Sequence, residues 1–301
     1  MRIGLSLDDF TVPGGPAQIA QTVGRIARDA DEAGLASFWV MDHFFQIPFI
    51  GPPEREMLEG YSVLSYVAGM TSRIELGTMV TGVAYRHPGI LVKTVTTLDV
   101  LSGGRAWLGI GAAWNEMEAR SLGIPFPPIG QRFDQLEETL RIALQMWAGD
   151  EQPFDGQEFH LERPLNSPNS LRRPHPPILI GGGGERRTLR LVAQYADACN
   201  LFAFDPTAVA HKLEVLRGHC EEVGRPFDAI EKTAMLRFNL SRDGAGGSVT
   251  PREAVERVHA LGELGVDHLI VSLERVHTAG TVDLLGEVAQ TATALVPAGH
   301  S

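Results

Sequence analysis

Cysteine is scarce, with Cys199 and Cys220 the only two in 301 residues. They show neither CxxC nor metal-ligand spacing, which excludes a disulfide framework and a cysteine metal site. They read as small buried residues in a reducing compartment. Positive charge is also short: 26 Lys and Arg stand against 37 Asp and Glu, a formal net charge of −11. That balance argues against nucleic acid or an anionic membrane as a general partner, so any anionic ligand has to be drawn in locally. No apolar run is long enough to span a bilayer, and the opening RIGLSL shows no leader pattern, so the expected location is the cytoplasm. HExxH and the GxSxG elbow are missing, and the histidines 43, 87 and 160 have no metal-ligand spacing, which disfavours a metal or serine hydrolase.

What is present is an ordinary apolar share of 44%, a charged share of 21%, and a run of four glycines at 181–184. The run follows the short apolar strand Ile178, Leu179, Ile180 and precedes a helix expected to open at Glu185-Arg186-Arg187. Bare backbone N–H groups beside a helix N-terminus suit an anion. A GxGxxG register starting at Gly181 or Gly182 would need glycine at 186 or 187, and both are arginine. The Gly-Lys-Ser/Thr of a Walker loop is absent. This reads as an anion site of neither nucleotide type; Arg186 and Arg190, one turn apart, are placed either for the same anion or on a solvated outer face, and Arg172 and Arg173 are candidates for its rim.

Strand and helix signals alternate along the chain. Strands are expected at 2–7, 38–41, 74–80, 106–111, 178–180, 197–201, 232–240 and 267–272. Helices are expected at 16–33, 61–71, 89–101, 131–147, from 185, from 206, 251–264 and about 280–295. Asp205-Pro206 and the capping box Thr250-Pro251-Arg252-Glu253 mark two of the helix starts. A Pro- and Gly-rich loop runs to about residue 60, and residues 149–175 hold at most a hairpin. Eight β–α units imply a parallel sheet with right-handed crossovers closed into a single α/β (β/α)₈ TIM barrel, residues 1–301 forming one domain. Its insertion loops lie after strand two and before strand five.

A barrel of this kind places its site at the C-terminal ends of the strands. The unusual residues lie there: Asp42-His43, Thr81-Gly82-Val83, Trp114-Asn115, the glycine run and residues 202–205. Together with WVMDHF (39–44), LGTMVTGVAYRHP (76–88), TLDVLSGGRAWLGIGAAWNE (97–116), GIPFPPIGQRF (123–133) and residues 174–200, they resemble the bacterial-luciferase-like superfamily, in its coenzyme F420-dependent branch.

The resemblance implies F420 as cofactor and His43 as the catalytic residue facing the reactive ring, where it can hydrogen-bond or move a proton. Asp42 is expected to orient His43 or touch the cofactor. Gly82-Val83 matches the family's non-proline cis peptide behind the ring, Asn115 a cofactor-contacting asparagine, and the glycines 181–184 with Arg187 the phosphate site. Thr81, Gly111 and Ala112 join the implied cofactor shell. Ala112 also stands where sugar-phosphate dehydrogenases of the branch carry an acid/base glutamate, which puts sugar-phosphate oxidation by that mechanism in doubt. Asp8, Asp9, Glu59 and Tyr61 are unranked polar residues near strand ends or the lid. The expected activity is hydride transfer between F420 and a small, fairly apolar organic substrate. The alternatives are an FMN-dependent monooxygenase and a flavin- or deazaflavin-binding protein without turnover. Analogy adds a homodimer paired through outer helices, with Trp147 or Phe133 on that face.

Overall fold

The computed structural model describes residues 1–294. Eleven strands and nine helices alternate among them: β1 (Arg2–Leu7), α1 (Ile19–Glu32), β2 (Ser37–Val40), α2 (Gly60–Ala68), β3 (Glu75–Thr78), β4 (Thr81–Gly82), α3 (Pro88–Ser102), β5 (Leu108–Gly111), α4 (Glu116–Ser121), α5 (Ile129–Ala148), β6 (Phe154–Asp155), β7 (His160–Leu161), β8 (Ile178–Gly181), α6 (Thr188–Tyr195), β9 (Ala198–Phe202), α7 (Pro206–Val223), β10 (Glu231–Phe238), α8 (Pro251–Glu263), β11 (His268–Leu273) and α9 (Thr281–Ala294). Residue 295 of the last expected helix lies outside the described residues.

Nine strands form one parallel sheet in the order β3-β2-β1-β11-β10-β9-β8-β5-β4, and β6 and β7 make the short hairpin ahead of β8. A bridge between Leu76 and Ala106 brings the two edges together: the Leu76 N–H donates to the Arg105 carbonyl at 2.9 Å and the Trp107 N–H to the Leu76 carbonyl at 2.8 Å. The expected strand 74–80 forms only over β3; the ladder stops at Met79 and Val80 and resumes beyond the expected bounds as β4, which shares its place in the ring, so the ring has eight strand positions. The capping box at Thr250 and Glu253 forms as expected, and Asp205 accepts from the Thr207 N–H. No helix among the described residues is long and apolar enough to cross a membrane.

The barrel interior is layered. At the N-terminal end of the strands, Ser37 Oγ meets His268 Nε2 at 2.9 Å, and Arg2, Glu75, Glu231 and Arg172 form a connected ion-pair network. Arg172 therefore lies at the opposite end of the barrel from the glycine run, drawn there by Glu75. Above this floor Trp39 and Trp107 meet edge-on, 5.8 Å between centroids, with Leu179, Ala198 and Ile270 around them. The next layer is built on Val80. Its methyl groups fill the space that a Cβ on Gly181 or Gly111 would occupy, at 2.9–3.1 Å, and the Gly109 Cα faces the Thr78 carbonyl just below. Three glycines on β5 and β8 therefore let one valine and the main chain of β3 into the barrel mouth.

The non-proline cis peptide among the described residues is Met79–Val80, not Gly82–Val83. Glycine at 82 serves a different contact: a Cβ there would lie 2.8 Å from the Tyr85 ring. Val83 is turned into the core. Trp147 is buried too, its indole N–H donating to Thr96 Oγ1 at 2.9 Å, and Phe133 faces a cavity, so neither forms an outer face.

Gly109→Ala should destabilise the protein by at least about 1–3 kcal/mol, because its methyl would overlap the Thr78 carbonyl. Gly218→Ala, on α7 with nothing near a Cβ, should instead add about 0.5–1 kcal/mol. Denaturant midpoints compared with the parent protein check both signs.

Candidate functional site

A cavity of about 640 Å³ opens at the C-terminal ends of the strands, within the usual size of a small-molecule site. Its inner wall is Met79, Val80, Thr81 and Gly82, flanked by Gly111, Ala112, Gly181 and Gly182; Asp8, Asp42 and His43 line it further round. The mouth is apolar. Phe49, Trp114, Ile129, Phe202 and Phe204 are all more than half exposed, and Phe202 and Phe204 stack at 5.8 Å. Exposed large apolar side chains gathered at one opening mark a binding surface.

His43 is positioned by Glu118, which the sequence reading passed over. Its Nδ1 lies 2.8 Å from Glu118 Oε2, leaving Nε2 as the nitrogen available to the cavity. Trp114 packs edge-on against the imidazole at 5.4 Å. Glu118 sits on α4, a six-residue helix absent from the expected elements, and its side chain is wholly buried. It also accepts from the main-chain N–H groups of Phe44 and Phe45, the latter at 2.8 Å, and from the Tyr85 hydroxyl at 2.7 Å. Burial opposes its charge, but the bonds from His43, Phe45 and Tyr85 prevail and hold the carboxyl below its usual range.

Asp42 does not orient His43. Arg86 clamps it in a bidentate pair at 2.5 and 2.9 Å and also binds Glu59. Burial works against the guanidinium, yet the bonds and charge of Asp42 keep Arg86 above its ordinary value. Glu59 further caps α2, and the Tyr61 hydroxyl, buried beside Thr81 at 2.7 Å, is pushed up to about 12 by burial and by Asp42. The loop after β2 is pinned at its base: Gln46 Nε2 donates to the Asp8 carbonyl at 3.0 Å, and Arg55 pairs with Asp9 at 3.0 Å.

Asn115 stands back from the cavity lining. Its Oδ1 caps α4 through the Glu118 N–H at 3.4 Å, and its Nδ2 is a buried donor without a partner among the described residues. Ala113, on the lip, holds a positive φ of 58°, unusual for a non-glycine residue and frequent beside functional sites.

The glycine run is arranged differently from expectation. Gly182 has φ +113° and its N–H is spent on the Asn200 carbonyl at 3.1 Å, while a Cβ on Gly184 would lie 2.7 Å from Thr188 Oγ1. The helix opens at Thr188, not at 185–187, because Arg187 is its N-cap. Arg187 reaches away to Asp134 and the Gly130 carbonyl, Arg186 and Arg190 are exposed, and Arg173 bonds the Ser170 carbonyl. The cation beside the run is Lys212 of α7, whose stem passes Gly183 and whose ammonium pairs with Glu185 at 2.5 Å. Asn200, lining the cavity from β9 and held by Thr233 at 2.9 Å, is a further residue missed by the sequence reading.

The profile of the luciferase-like monooxygenase family matches residues 1–245. The chain belongs to that family. Among similar proteins, an F420-dependent glucose-6-phosphate dehydrogenase of Kineococcus radiotolerans is 29% identical over 229 residues, 73% of this chain. The match spans 64% of that relative, just under two thirds of its length. Two solved structures share the fold. An F420-dependent secondary alcohol dehydrogenase in complex with an F420-acetone adduct superposes with TM-score 0.82 at 17% identity, covering 97% of this chain and 98% of the other. A type II Baeyer–Villiger monooxygenase component from Pseudomonas putida, in complex with FMN, gives 0.74 at 18% identity, covering 96% and 98%.

Within this luciferase-like site, removing the Glu118 carboxylate strands several buried donors, each worth about 1–3 kcal/mol. Glu118→Ala should therefore lower the melting temperature sharply, and Glu118→Gln less. A carboxyl held below its usual range stabilises the fold fully above its unfolded pKa, and that gain is lost as pH falls through the folded value. Denaturation midpoints followed from pH 7 to about pH 3 should fall more steeply in the parent than in Glu118→Gln.

Proposed function

We propose that this chain is a coenzyme F420-dependent oxidoreductase acting on a small, mainly apolar organic substrate. The observation that carries the reading is His43, fixed on the cavity wall through Nδ1 by a buried carboxylate so that Nε2 addresses the cavity. The F420-dependent name of the 29% identical relative supports the choice of cofactor.

The residues present fit a flat ring with an anionic tail. Met79, Val80, Thr81 and Gly82 make an inner wall whose approach depends on glycines at 109, 111 and 181. Gly111 and Ala112 continue the shell on one side. On the other, Gly181 and Gly182 lead to Gly183, Gly184 and Thr188, with Lys212 and Arg187 near enough in sequence and fold to turn from their carboxylate partners towards a phosphate. When bound, the deazaflavin supplies two-electron chemistry as hydride at a ring carbon. His43 would hydrogen-bond at that face, with its ring plane set by Glu118 and Trp114.

The acceptor side argues against a sugar phosphate. Ala112 carries no proton to transfer, and Arg237, the guanidinium on the cavity lining, lies 3.7 Å from Glu274. Ile47, Phe49, Ile50, Phe202 and Phe204 favour an apolar body instead.

Titration of the purified protein with F420 and with FMN, followed by ring fluorescence, tests the reading. Saturable binding of F420, tighter than FMN, is expected; FMN binding with no response to F420 would favour the monooxygenase. His43→Ala should slow turnover by about 10²–10⁴-fold with F420 binding changed much less. Unchanged turnover would return His43 to a structural role.

A further inference from the structure

Asp8 leaves the end of β1 and lines the cavity while almost wholly buried, at 5% exposure. Its surroundings are hydroxyls. Ser6 of β1 and Ser272 of β11 are register partners, Arg237 of β10 is the partner of Ser272 on the other side, and the Ser6 hydroxyl donates to Asp8 Oδ1. These residues form a polar row across three adjacent strands of an otherwise apolar cavity. Gln46 holds the Asp8 carbonyl, which fixes the residue's backbone.

The other acidic groups here are already committed. Asp42 has Arg86, Glu118 has His43 and Tyr85, Asp9 has Arg55. Asp8 has no ion-pair partner among the described residues. The charges acting on it are Asp9 beside it in the chain and Arg237 from β10, the latter shared with Glu274; Ser272 of β11 and Gln46 of the loop after β2 do not titrate, and Asp42 and His43 lie on the same cavity lining. Burial pushes the Asp8 carboxyl above the usual range, only partly offset by Ser272, Ser6 and Arg237. A neutral carboxylic acid on a reaction cavity can donate a proton near neutral pH.

We infer that Asp8 is the general acid that protonates the acceptor during its reduction. The inference rests on the oxidoreductase reading above. For a carbonyl acceptor, the carbon takes a hydride and the oxygen takes the Asp8 proton, so that C=O becomes CH–OH. Both electrons come from the reduced deazaflavin, whose ring proton leaves to water, and water re-protonates the Asp8 carboxylate. In the oxidative direction the carboxylate takes the alcohol proton. Such a step needs no second carboxyl at position 112.

Asp8→Asn keeps the size and hydrogen-bonding capacity of the side chain and removes the proton. In protein free of cofactor, infrared difference spectra against pH should show a protonated carboxyl persisting above the ordinary aspartate range, about pH 4, and missing from the variant. Identical spectra would overturn the inference. With reduced F420 and a panel of small ketones beginning with cyclohexanone, Asp8→Asn should lower kcat about 10²–10⁴-fold while KM changes little. The parent's rate should fall at alkaline pH as the acid is lost, and Asp8→Glu should recover part of it. Full turnover in Asp8→Asn defeats the inference alone, whereas a parent protein that binds no F420 or reduces no ketone defeats the reading beneath it.

Discussion

One buried carboxylate ties together three loops that a barrel would otherwise leave independent. Glu118, on the helix after β5, accepts from His43 and the Phe44 and Phe45 main chain after β2 and from Tyr85 after β4. Charge-assisted bonds of this kind are about twice as strong as neutral ones, and leaving any donor unmet in a buried setting is costly. The Tyr85 ring also covers Gly82 and meets Phe44 edge-on at 5.4 Å, so the same tyrosine that reports to Glu118 also closes the strand end beneath. Asn115 sets the start of the short helix and bonds the Glu118 N–H. The imidazole of His43 therefore inherits its orientation from a helix more than seventy residues away in the chain.

The depth of the cavity has a separate cause. Trp39 and Trp107 fill the barrel below, and Val80 fills the level above them only because residues 109, 111 and 181 have no side chains. A valine wedged between bare strands gives a firm, flat, apolar surface, which a loop alone would not provide. The two devices divide the work. Glycines set how close a ligand can come to the barrel, and Glu118 sets which polar group meets it there.

Most of the architecture was legible because it is local. Apolar periodicity, Pro at helix starts, the capping box at Thr250 and the placement of odd residues after strands all survive in the structure. What was missed depends on partners distant in sequence. In WNEMEAR, Glu118 has the look of a solvated helix residue, and nothing nearby shows that four donors converge on it. Gly82 was expected at the cis peptide, whereas the glycines that admit Val80 lie on other strands. Arg187 has a favourable position for an anion, but Asp134 on α5 competes for it. Trp147 was expected on an outer face by analogy, and no neighbour in the sequence shows that its indole turns inward to Thr96.

The electrostatics of the cavity follow from the same distinction between paired and unpaired groups. Burying a charge is tolerable only with compensation. Glu118 receives it from convergent donors, and Asp42, although burial pushes its carboxyl above the usual range, is tied into the Arg86 clamp, so neither is left to act on a ligand. Asp8 receives hydroxyls and a shared arginine, a weaker compensation that favours the neutral acid. A chain with a net charge of −11 thereby presents a reaction cavity whose own carboxyl groups carry little free negative charge. Such a surface suits an uncharged acceptor and leaves one group, set apart from the ion pairs, free to exchange a proton. Separation of carboxyl groups by environment, more than by their number, is what divides acid from scaffold here.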